Sequence, residues 1–144
     1  MKTTFLLAAL LATTISFSQM FVGIGVGIST TKTPAMNLQT GYDFNIIQVQ
    51  GGYKMHLDRR NAAIFYGQLA KKIWINNTFA IEPAIGYSHH LLSNDKKWLN
   101  KNNPIYSIGL VKQLEHPNGQ LFFDITNSGV YSMAVIGLRC SFIN

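Results

Sequence analysis

From residue 20 onward, apolar and polar side chains alternate with a period of two, the repeat of a strand whose two faces meet different surroundings. Eight such segments can be placed, at about 20–29, 36–44, 46–55, 63–73, 77–88, 105–114, 120–126 and 130–142, each bounded by turn residues. In the first, Met20, Val22, Ile24, Val26 and Ile28 alternate with Phe21, Gly23, Gly25 and Gly27. In the third, Ile47, Val49, Gly51, Tyr53 and Met55 alternate with Gln48, Gln50, Gly52 and Lys54. In the last, Ala134, Ile136, Leu138, Cys140 and Phe142 alternate with Met133, Val135, Gly137, Arg139 and Ser141. One face is large and apolar, while the other is mostly Gly, Gln, Ser and Thr with a few charges.

A soluble barrel buries its apolar face inside. Here the small residues suit a crowded interior, and the rings and aliphatics suit hydrocarbon as their solvent. Most segments approach the roughly 9–11 residues of a tilted membrane strand. Backbone groups in hydrocarbon find no water, so the sheet has to close on itself. The pattern therefore predicts an all-β fold, an eight-stranded antiparallel up-and-down transmembrane β-barrel. Pro83 lacks a ladder donor and predicts a bulge in the fifth strand. Lys71 and Lys112 fall on the lipid face near strand ends, where a long side chain can snorkel.

The connections fit that topology. With the N-terminus in the periplasm, the outward connections are 30–35, 56–62, 89–104 and 127–129, and the periplasmic ones are 45, 74–76 and 115–119. The longest lies on the outer side, as in outer-membrane barrels. Residues 1–18 read as a cleaved secretory signal peptide: Lys2 gives the charged start, 5–12 the short apolar run, and Ser16 and Ser18 the small residues before the cut. Residues 19–144 are then the barrel domain. Only 12% of the chain is charged, and the formal net charge is +6. Export argues against nucleic acid as a partner despite the basic balance, and favours anionic lipid or sugar phosphate. One cysteine, Cys140, excludes a disulfide framework and a cysteine metal cluster.

On the signal peptide, the alternating strands and the final 131–142 segment, the chain resembles the small eight-stranded outer-membrane β-barrel proteins, the group that includes the membrane domain of outer-membrane protein A. The likeness covers about residues 20–142. It implies residence in the outer membrane of a Gram-negative-type bacterium and insertion by the barrel-insertion machinery, with Phe142 matching the closing aromatic that this machinery reads. Ile143 and Asn144 follow Phe142, whereas the family pattern usually places the aromatic last.

Eight strands leave an interior that side chains fill. Gln48, Gln50, Lys54, Gln68, Lys72, Glu82, Asp124 and Arg139 are expected to point inward. They form either a narrow charge-gated conduit or, the expectation here, a polar plug whose charges satisfy one another. Tyr42, Phe44, Trp74 and Phe142 are expected at the periplasmic rim, with Tyr53, Tyr87 and Tyr106 at the outer rim, as interfacial girdles. Lys32, Arg59, Arg60, Lys96, Lys97 and Lys101 lie in or beside outer loops, where they could meet lipopolysaccharide phosphates or an acidic surface ligand. His89 and His90 precede Ser93 and Asp95, but adjacent strand residues face opposite ways, so neither a shared metal nor a catalytic set is expected. No cofactor is implied.

The reading is a monomeric, non-enzymatic outer-membrane barrel with a membrane-stabilising, surface-recognition or adhesion role. Its partners would be outer-membrane lipid and lipopolysaccharide. A soluble periplasmic barrel binding a small apolar ligand is the alternative, followed by a lipid A-modifying enzyme.

Overall fold

Each alternating segment forms a strand, because only a strand sends successive side chains to opposite sides. In the computed structural model the described residues are 19–44, 47–57, 62–94, 97–116, 118–129 and 131–142, with the side chains of 62 and 92–101 left out. The proposed signal peptide lies outside them. The strands are β1 (Gln19–Ser29), β2 (Pro34–Asp43), β3 (Gln48–His56) and β4 (Ala62–Ala70, resumed at Ile73–Trp74), then β5 (Phe79–Asn94), β6 (Lys97–Gln113), β7 (Gly119–Asn127) and β8 (Ser132–Phe142).

Every strand pairs antiparallel with its sequence neighbours, and β1 pairs with β8 from Met20↔Phe142 to Ser29↔Met133. The sheet is thus a closed up-and-down barrel with no free edge, which removes the unpaired backbone groups that hydrocarbon would punish.

The apolar face looks outward. Ile24, Val26 and Ile28 of β1 are 52%, 59% and 53% exposed, and Leu38, Ile85, Ile136 and Leu138 are equally bare. The alternate residues Phe21, Asn37, Gln50, Lys54, Glu82, Phe122 and Arg139 are buried in the lumen. This is the inverse of a carrier for apolar cargo, which would need those aliphatics inside.

Two expectations need correction. Pro83 makes no bulge, since the β4–β5 register runs unshifted from Ala70↔Ala84 to Ile73↔Ile81. Lys71 N still donates to Pro83 O at 3.0 Å, but the proline has no N–H to return, so the ladder lapses between the two pieces of β4 without an extra residue. The connection at 89–104 is also not a loop. β5 and β6 remain paired up to Asn94↔Lys97, a ladder continuing well past Tyr87. The remaining boundaries agree within a few residues.

Gly41 and Gly137 carry a packing demand. A Cβ on Gly41 would meet the Phe21 ring at 2.7 Å, and one on Gly137 would meet the Phe122 ring at 2.6 Å. Both glycines make room for rings inside the barrel.

Candidate functional site

The lumen holds the chemistry, in three tiers of ion pairs crossed by rings. Strand parity turns each charge inward; closure of the barrel brings together residues remote in sequence.

Near the end of the barrel where β1 begins and β8 ends, Lys72 Nζ lies 3.1 Å from Asp43 Oδ2, to which Gln48 Nε2 also donates at 2.6 Å. Lys72 lies 5.7 Å from the centre of the Trp74 ring. Further in, Arg139 grips Glu82 with two parallel bonds, Nη1 to Oε2 at 2.9 Å and Nη2 to Oε1 at 3.0 Å. This forked geometry is the strong form of an arginine–carboxylate contact. The Arg139 guanidinium carbon sits 4.5 Å from the Phe21 ring centre and 5.4 Å from that of Phe122, so the cation lies close to two π-systems. With its amide oxygen turned to the guanidinium, Gln39 accepts from Nε and Nη2 at 3.3 and 3.2 Å.

Toward the other end, Lys54 Nζ donates to Thr126 Oγ1 at 2.5 Å, and Thr126 donates to Asp124 Oδ2 at 2.6 Å. Lys54 and Asp124 themselves are 3.4 Å apart. Tyr66 closes this tier: its ring centre is 4.9 Å from Lys54 Nζ, and its hydroxyl donates to Asn37 Oδ1 at 3.2 Å.

At the opposite mouth, Tyr131 lies beside two buried imidazoles, 4.7 Å from His56 and 6.5 Å from His90 between ring centres. Ser88 Oγ is 2.8 Å from His90 Nε2 and donates to Asn103 O at 3.1 Å, so His90 Nε2 carries the proton shared with Ser88.

Among the described residues, three cations and three carboxylates therefore pair across the lumen. A charge held away from water needs such a partner. All eight residues expected inside are found there: Gln48, Gln50, Lys54, Gln68, Glu82 and Arg139 buried, and Lys72 and Asp124 half-buried. Glu82 meets Arg139, Lys54 meets Asp124, and Gln50 pairs directly across the ladder with Gln68. The pattern had not marked Phe21, Phe122, Tyr66, Asn37, Gln39 or Thr126 as part of the site. For all but Thr126 the signal was a large or amide side chain on the inward parity, opposite a glycine.

Of the expected rim aromatics, Phe44 is half-buried and stacks on Tyr42 at 6.4 Å. Tyr42, Met20 and Phe142 share one row, and Trp74 is exposed near that end. The Tyr53 and Phe65 rings meet at a tilt with centres 5.0 Å apart, and Tyr87 and Tyr106 are exposed. Lys71 and Lys112 are exposed, the latter 5.8 Å from the Phe79 ring centre. His89 faces out and His90 in, so the pair shares no site. Arg59, Arg60, Lys96 and Asp95 lie outside the described residues. Lys97 and Lys101 stand on β6, where Lys101 is register partner to His90.

No protein-family model and no curated protein matches this sequence. Solved structures do. The N-terminal β-barrel domain of Pseudomonas aeruginosa OprF is 12% identical, with a TM-score of 0.65 over 88% of this chain and 98% of that one. A de novo designed transmembrane β-barrel is 14% identical, with a TM-score of 0.66 over 86% and 95%. Ail, the attachment invasion locus protein of Yersinia pestis, is 15% identical, with a TM-score of 0.56 over 87% and 97%. At these identities the likeness is one of architecture, and it agrees with the outward apolar face and the closed ladder: the chain has the fold of the eight-stranded transmembrane β-barrels.

Proposed function

We propose that the protein is an integral outer-membrane barrel, non-enzymatic and monomeric, that anchors a basic hairpin at the cell surface for recognition of polyanions such as lipopolysaccharide phosphates or acidic glycans. Phe142, bare at the periplasmic rim beside Met20, would serve as the insertion signal. The observation that carries the reading is the pairing of the charges inside the lumen. Its charges face one another, which leaves the hairpin above Tyr87 as the part able to engage a ligand. That hairpin is an ordered ladder to Asn94↔Lys97 and bears Lys97 and Lys101. In sequence, Arg59 and Arg60 fall between β3 and β4, and Lys96 falls between β5 and β6. Ail, which shares the fold, has been solved with the heparin analogue sucrose octasulfate.

The Ser88–His90 contact does not favour a hydrolase. Both residues are buried, Ser88 is engaged by Asn103 O, and among the described residues no carboxylate reaches His90 Nδ1 to orient the ring.

The test is binding of heparin and of lipopolysaccharide to the purified barrel in nanodiscs, by calorimetry across a salt series. The double variant Lys97→Gln/Lys101→Gln is expected to bind roughly tenfold more weakly at low salt and to show a shallower salt dependence. Equal affinity in variant and parent would defeat the reading.

A further inference from the structure

The lipid-facing wall is not uniform. Three open cavities of about 360, 480 and 420 Å³ follow one another along the β4–β5 seam. The first two share Leu69 and Ile85, and the second and third share Gly67 and Tyr87, so they join into one furrow. Its cause is local. Gly67 faces outward where a side chain is expected, and a Cβ there would meet nothing within 4 Å. Its ladder partner on β3 is Gly51, so the gap is two residues wide. Tyr87, 72% exposed, stands as one bank.

The furrow changes character along its length. The lower and middle parts are walled by Ile47, Leu69, Ile85 and Tyr87. The upper end, still walled by Phe65 and Tyr87, adds a polar pair, His89 Nδ1 and Asn102 Oδ1, 2.7 Å apart. From Pro83 to His89 the groove follows six residues of β5, roughly 20 Å at about 3.3 Å per residue. An apolar band in such barrels is about 25 Å tall.

We propose that this furrow is a lipid site: it seats one acyl chain of an outer-leaflet lipid, with the phosphorylated headgroup against the His89–Asn102 end. An amphiphile matches the gradient from apolar to polar, and the furrow is continuous with the wall that already faces lipid. A second barrel is convex and would meet a concave trough only along one ridge. The inference rests on the outer-membrane placement proposed above, and not on anion binding by the hairpin.

The experiment uses the full barrel, extracted from membranes in mild detergent, incubated with lipid A and read by native mass spectrometry. The parent protein retains one lipid A per barrel. Gly67→Leu, which fills an open position and should fold, retains at least fivefold less, and His89→Ala about twofold less. Val26→Phe, on the wall away from the seam, matches the parent. Heat-modifiable gel mobility confirms that each variant is folded. Retention by Gly67→Leu equal to the parent, retention by neither, or efficient disulfide-linked dimers of Gly67→Cys in the bilayer would each overturn the site. Membrane fractionation of the same cells separates the two readings. Recovery in the outer membrane with undiminished Gly67→Leu retention defeats the furrow alone, and absence from that fraction defeats the placement.

Discussion

Glu82→Ala will destabilise the folded barrel by about 3–5 kcal/mol, the cost of leaving a buried charge without its partner. The carboxylate answers two guanidinium bonds at 2.9 and 3.0 Å, and both side chains are almost fully sequestered. Removing Glu82 strands Arg139 beside Phe21 and Phe122, which offer it π-faces but no countercharge. Gln39 supplies an amide oxygen only. Replacing both partners with apolar residues of similar volume removes the desolvation cost along with the attraction, so Glu82→Leu/Arg139→Met should recover at least half of the loss. Reversible urea unfolding in lipid vesicles, followed by tryptophan fluorescence, reads both numbers. A loss below about 1 kcal/mol for Glu82→Ala would mean that the pair behaves as a surface ion pair, in a lumen open to water. The plug would then be the wrong description of the interior.

The faces of the barrel were legible in the sequence because a strand repeats every two residues and each face has one solvent. Val26 and Gly25 declare opposite sides by parity alone, and Glu82 and Arg139 both declare the inner one. Their pairing was not legible. Glu82 lies on β5 and Arg139 on β8, strands that share no ladder, and the contact crosses the lumen between positions 57 apart in sequence. Parity states which way a side chain points but not how high in the cylinder it ends. Phe21 and Phe122 were hidden for a related reason: on a face read as small and polar, a ring looks like an exception. Only the matching gaps at Gly41 and Gly137 show it as a fitted part.

The hairpin above Tyr87 was missed because alternation fails there while pairing continues. His89-His90, Leu91-Leu92 and Asn102-Asn103 repeat rather than alternate. Above the hydrocarbon both faces of a ribbon can be wet, so the ladder persists without the signal that announces it. Pro83 was seen as a disturbance of the ladder, but its kind was misjudged. A missing donor interrupts pairing; it does not add a residue.

Ile24→Lys is expected to cost about 2–4 kcal/mol in a bilayer, whereas Tyr106→Lys at the outer rim should cost about 0–1 kcal/mol. Ile24 stands midway along β1, 52% exposed, in one row with Leu38 and Leu138. An ammonium placed there has hydrocarbon around it and too far to reach for water. At Tyr106 the same ammonium snorkels into the headgroups. The depth dependence is the informative part. A water-facing wall would accept lysine at either height with little change, because exposed charge on a soluble surface is nearly free. An inward apolar core would reject it at both heights, and detergent or bilayer would make no difference. A steep cost at Ile24 in vesicles, a small cost at Tyr106, and the same ranking for Val26→Lys against Tyr87→Lys can arise only if lipid touches the outer face of the cylinder. Equal costs at the two heights would contradict a membrane-spanning barrel, because the interfacial girdles, the plug and the hairpin all take their places from that surface.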